Sequence, residues 1–88
     1  MLMCTGDRYL QRDGVRLRYR DDGTGPAIVM IHGWTLDLEM WDPQVERLAG
    51  SLRLVRLDRR GHGLSTGTPG LGWAVADLAA LCRHLGLT

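Results

Sequence analysis

The chain is 88 residues long, 44% hydrophobic and 24% charged, with eleven arginines, no lysine, ten acids and a net charge of +1. That length builds one small domain, which buries only about 60–65% of its unfolded surface and so has a thin stability margin. Arginines interleave with aspartates, so no basic face for nucleic acid stands out and a solvated mixed surface is expected. No run approaches the roughly 20 apolar residues of a membrane span, and a cytoplasmic location is the default.

Residues 1–8 carry no clear pattern. Met1-Leu2-Met3 before Cys4 is too short for the apolar region of a lipoprotein signal. Cys4 and Cys82 are isolated, with neither a CxxC pair nor a histidine at zinc-ligand spacing, so no metal site is expected. Asp13-Gly14 is a two-residue hairpin signal, and it predicts a hairpin over about 9–20. In its second arm Val15, Leu17 and Tyr19 alternate with Arg16, Arg18 and Arg20, which predicts one buried and one wet face.

After a loop of turn formers, Ala27–Ile31 is continuously apolar. That reads as a parallel strand covered on both faces. His32-Gly33-Trp34 then stands where the strand emerges at its carboxyl end, the edge at which open α/β sheets place their chemistry. A helix is predicted over about 42–49, with Asp42 as its N-cap, Pro43 at its first position, and Trp41, Val45, Leu48 and Ala49 on one face. A strand over about 52–57 (LRLVRL) follows. It ends in the charged, glycine-rich run Asp58-Arg59-Arg60-Gly61-His62-Gly63. From Leu71, apolar residues recur at Val75, Leu78, Ala79, Cys82 and Leu85, predicting a second amphipathic helix over about 71–85 with Cys82 as a buried thiol. Strands alternating with helices argue for a parallel α/β sheet fed by an antiparallel hairpin.

His32-Gly33-Trp34, Trp41, and the string Asp58-Arg59-Arg60-Gly61-His62-Gly63-Leu64-Ser65 together resemble the α/β-hydrolase fold family, over about Arg12 to Leu87. HGWTLDLEMW followed by DRRGHGLS is most similar to the branch of cofactor-free haloperoxidases, perhydrolases and aryl esterases. The resemblance implies an α/β fold, here the N-terminal part of a hydrolase sheet and therefore incomplete. It also implies serine-dependent hydrolysis of small carboxylic esters, with perhydrolysis as a side reaction, and no organic cofactor or metal. By the same resemblance the backbone N–H of Trp34 is half of an oxyanion hole and its indole lines the acyl pocket, so His32, Gly33 and Trp34 form the substrate-binding turn. His32 shapes that loop, the Asp58–Ser65 loop buttresses the strand end, Arg60 is a scaffold charge paired with an acid, and Asp77 is structural.

Gly63-Leu64-Ser65-Thr66-Gly67 matches G-x-S-x-G, with Asp77 and His84 in triad order behind it. The match is a coincidence of spelling. A nucleophile elbow needs a strand before it and a helix after it, and Thr68-Pro69-Gly70 follow instead. Asp77 and His84 also lie about 10 Å apart along one helix axis, where a catalytic pair needs a hydrogen bond. The resemblance places the nucleophile, acid and histidine on later elements, so this chain corresponds to roughly the first third of the family's domain. The alternative reading is a truncated, inactive relic or an association module. An apolar strand at an open edge is a pairing hazard, so self-association through that edge is expected of the chain made alone.

Overall fold

A computed structural model describes residues 6–87, without the side chain of Leu71; the expectations for residues 1–5, Cys4 among them, lie outside it. Four strands, β1 (Arg8–Arg12), β2 (Val15–Asp22), β3 (Ala27–Ile31) and β4 (Arg53–Leu57), form one mixed sheet in the order β1-β2-β4-β3. The β1–β2 and β2–β4 pairs are antiparallel, and β4–β3 is parallel. Asp13 and Gly14 turn the hairpin at φ 50° and 78°, the twist-compatible geometry that aspartate and glycine tolerate.

Helix α1 (Asp42–Leu48) makes the crossover from β3 to β4, and helix α2 (Ala74–His84) covers the opposite face. Short 3₁₀ turns, Leu38–Trp41 and Leu71–Trp73, lead into the helices. The α2 side holds one apolar cluster, of Leu17, Tyr19, Val55, Leu57 and Leu81. Val45, Ala49 and Leu54 make a second cluster on the α1 side. The period of two in β4 thus feeds both layers from one central strand.

Several sequence expectations are corrected here. Asp42 does not cap α1: it has helical dihedrals itself, and its carboxylate accepts from Arg56 Nη1 at 2.6 Å. Leu48 is exposed, so the buried stripe of α1 is narrower than its apolar pattern. On α2 the buried face runs through Asp77, Leu78, Leu81 and Leu85; Val75 is 79% exposed and Cys82 is half-buried. The regular helix starts only at Ala74, after the 3₁₀ turn Leu71–Trp73, and its buried face centres on Asp77 and Leu81, which leaves Val75 on the far side.

Charge placement differs more. Arg18, Arg56 and Arg60 are buried, not on a solvated surface, and Arg18 does not lie on a wet strand face. Each meets a buried aspartate: Arg18 Nε donates to Asp58 at 2.7 Å, Arg56 Nη2 to Asp22 at 3.0 Å, and Arg60 grips Asp77 through Nε and Nη2 at 3.1 and 2.8 Å. Burial alone would lower the Arg18 pKa; the hydrogen bond and charge of Asp58, with Asp7 and Glu39, outweigh it and hold that pKa above its ordinary value. Ala27–Ile31 is covered only in part: Val29 and Ile31 pack against the α2-side cluster and Met30 against the α1-side one. It is an edge strand with Ile28 43% exposed, whereas Leu54, Val55, Arg56 and Leu57 of its neighbour β4 are all fully buried.

Candidate functional site

Because β3 and β4 are parallel, with Ile31 opposite Leu57, two loops leave the sheet side by side at its carboxyl edge. One begins at His32 and the other at Asp58. Open α/β sheets gather binding and chemical groups at this edge.

The first loop turns at once. Leu36 N donates to Gly33 O at 3.2 Å, closing a four-residue turn with Trp34 and Thr35 at its centre. Thr35 sits at φ 70°, a region a β-branched residue seldom occupies, so this turn stores backbone strain. The amide hydrogen of Trp34 has no acceptor among the described residues, and Trp34 as a whole is 49% exposed. The turn therefore holds an unused N–H beside an accessible aromatic surface.

The second loop fixes the first. Asp58 is fully buried and accepts from Arg18 Nε, from Leu38 N at 2.7 Å and from Leu64 N at 2.9 Å. One carboxylate so joins β2, the 3₁₀ turn before α1, and the far end of its own loop. Gly63, at φ 54°, brings its backbone against that carboxylate, and a Cβ there would strike it. Arg59 holds His32 twice: its amide donates to His32 Nε2 at 2.9 Å, and its Nε to the His32 carbonyl at 3.0 Å. The His62 ring lies between the other two, 5.2 Å from the His32 ring and 4.9 Å from that of Trp34, which it meets edge-on. Burial pushes the His32 pKa below its ordinary value, with His62 and Arg59 adding to the shift. His32 is thus held neutral where it braces the two loops together.

The structure brings His32, Gly33 and Trp34 into one bend at the strand end. It does not assemble Ser65, Asp77 and His84. The Ser65 hydroxyl is buried; it donates to Asp58 O and accepts from Arg18 N, both at 2.8 Å. Asp77 is held by Arg60, whose guanidinium stacks on Trp73 at 4.0 Å, and by Arg12 at 3.2 Å, and His84 packs against Tyr19. Thr66 completes the latch, since its hydroxyl accepts from Arg16 N at 2.8 Å. The G-x-S-x-G string is a clasp along β2. Sequence reading assigned the Asp58–Ser65 loop a buttressing role but missed Asp58 as the hub, Arg59 as the partner of His32, and His62 as the backing of Trp34. The only available signal was the clustering of those residue types directly after a strand.

Among the described residues no helix is long and apolar enough to cross a membrane, and no group of three or more His, Cys, Asp or Glu could hold a metal ion.

The alpha/beta hydrolase family model matches residues 28–87. The chain is 39% identical over 79 residues to a non-heme haloperoxidase of Rhodococcus erythropolis, with 85% of this chain and 29% of that protein covered. It is 38% identical over 82 residues to a bifunctional esterase/perhydrolase of Acinetobacter calcoaceticus, covering 86% of this chain and 30% of that protein. Among solved structures, a hydrolase from Pseudomonas aeruginosa superposes with a TM-score of 0.83 at 33% identity, over 93% of this chain and 33% of that one. The chain thus spans less than a third of the length of these two curated relatives.

Proposed function

The chain belongs to the alpha/beta hydrolase family, and on that premise we propose that it supplies the first part of a serine-dependent hydrolase of small carboxylic esters. In this reading the Trp34 amide is one of two donors to the oxyanion of the tetrahedral intermediates that lead to and from an acyl-enzyme. The indole walls the acyl pocket, and residues beyond this segment bring the second donor, the nucleophile, the acid and the histidine. A donor fixed before the reaction, in a site that excludes water, lowers the barrier by about 2.7–4 kcal/mol. The observation that carries the reading is the unused Trp34 N–H, presented by a strained turn at the carboxyl edge of a parallel strand pair. The esterase/perhydrolase and haloperoxidase relatives support ester chemistry, with perhydrolysis as a side reaction.

A p-nitrophenyl ester assay of the 88-residue chain beside Ser65→Ala tests the assignment. The expected result is no Ser65-dependent turnover, because that hydroxyl is bonded on both sides. Turnover that disappears in the variant would make the G-x-S-x-G string a true nucleophile and overturn the reading.

A second reading is favoured by the free side of β3. An apolar edge strand with an exposed Ile28 is a pairing surface, and it supports a role as an association module. Light scattering on the purified chain separates the two, since a monodisperse monomer excludes the module.

A further inference from the structure

The Gly33 carbonyl and the Trp34 amide are two ends of one peptide plane, and His32 holds the first of them. Its Nδ1 lies 2.6 Å from Gly33 O. Its Nε2 accepts from the Arg59 amide. A neutral imidazole carries one hydrogen, so an Nε2 that accepts leaves Nδ1 as the donor.

The geometry points to His32 as a positioning residue: the Arg59 amide locks its Nδ1–H tautomer, and that N–H clamps the Gly33 carbonyl so that the trans Trp34 N–H is aimed in the opposite direction, out of the turn. Planarity makes the clamp rigid, because fixing one end of the peptide fixes the other. Bonding at the carbonyl also polarises the amide and strengthens its hydrogen as a donor. The clamp explains how a turn with a left-handed threonine keeps one orientation, and it joins the two strand-end loops through a single ring. His32 touches no reacting atom. The charged and titratable groups around it are Asp58, Arg59 and His62.

The inference deepens the hydrolase reading and rests on it for the meaning of the Trp34 N–H, but its test involves no ester. Long-range proton–nitrogen correlation of the ¹⁵N-labelled chain reads the His32 tautomer directly. The expected result near neutral pH is a single neutral Nδ1–H form, with the Trp34 amide nitrogen shifting at the same midpoint as the imidazole on acidification. His32→Asn keeps a donor for Gly33 O and loses the acceptor for Arg59; it is expected to leave the Trp34 amide signal close to wild type. His32→Gln keeps the acceptor and loses the clamp; it is expected to displace that signal. An Nε2–H form, a tautomer mixture like that of an unfolded chain, or a Trp34 amide indifferent to His32 overturns the inference. The tautomer is read in the unsubstituted chain, so a variant that unfolds does not remove the test. Failure of the ester chemistry leaves these signals in place, so the two readings fail separately.

Discussion

Strands β3 and β4 lie side by side in one sheet and have opposite fates. AIVMI has no polar residue, yet it is partly open to solvent, with Ile28 and Ala27 exposed. RLVRL carries two arginines, and its last four residues are buried, Arg56 completely. Position in the sheet, not apolarity, decides burial: β4 has neighbours on both edges, while among the described residues β3 has a neighbour on one edge only. The guanidinium can be buried in β4 because Asp22 and Asp42 meet it there. The apolar side chains of β3 are suited to a cover that the described residues do not provide.

The contrast is tested first where the largest losses are expected. Asp58→Ala leaves the buried Arg18 guanidinium with only its longer contacts to Asp7 and Glu39 and removes the acceptor of two loop amides, so it is expected to destabilise the chain by about 3 kcal/mol. Urea denaturation followed by circular dichroism measures the loss, and a change under 1 kcal/mol, about the worth of an exposed pair, would show that the hub is not structural. Leu54→Ala on β4 creates a cavity in a closed layer, with an expected cost of about 2–5 kcal/mol.

Gly63→Ala combines a left-handed backbone with a Cβ against the Asp58 carboxylate, an expected cost of roughly 1–3 kcal/mol. The smallest effect is predicted on the open strand. Ile28→Thr should change stability by no more than about 0.5 kcal/mol, the usual range for an exposed site, while lowering self-association in light scattering. A loss as large as that of Leu54→Ala would mean that β3 is covered after all.

Acid should weaken the strand-end bend through a different route. Burial holds the His32 pKa below 6.5, so the unfolded chain binds the proton more readily than the folded one. Stability from neutral His32 is therefore complete above pH 6.5 and is lost as pH falls through the folded value. Comparing urea midpoints of the wild type and His32→Asn at about pH 7 and about pH 5 isolates this contribution. The wild type should lose more on acidification, and equal losses would remove His32 from the account.

Much of the fold was legible because its determinants are local. Asp13-Gly14 marked the hairpin, the continuous run of β3 marked a parallel strand, and the alternation of strands and helices marked the α/β class. Burial was less legible, because it depends on what each segment meets. Arg18 sits in an alternating strand whose polar face reads as wet; only the fold places Asp58, forty residues later, beneath it. Val75 fits a helical stripe by spacing, but the face that meets the sheet is centred on Asp77 and Leu81, because Arg60 draws the Asp77 carboxylate inward. The bend at His32-Gly33-Trp34 was found from its motif. The tautomer lock was not, because it depends on a main-chain amide at Arg59 that leaves no mark in the residue types.

The central claim is that the Trp34 backbone N–H stabilises a developing oxyanion. The most direct test grafts residues 8–87 into the aligned segment of the Rhodococcus erythropolis haloperoxidase and compares ester turnover by Trp34→Ala, which keeps that N–H, with Trp34→Pro, which deletes it. At matched folded content, kcat is expected to be lower in the proline variant by about 10²–10³-fold, the loss typical of one oxyanion donor. Equal kcat in the two variants would contradict the claim.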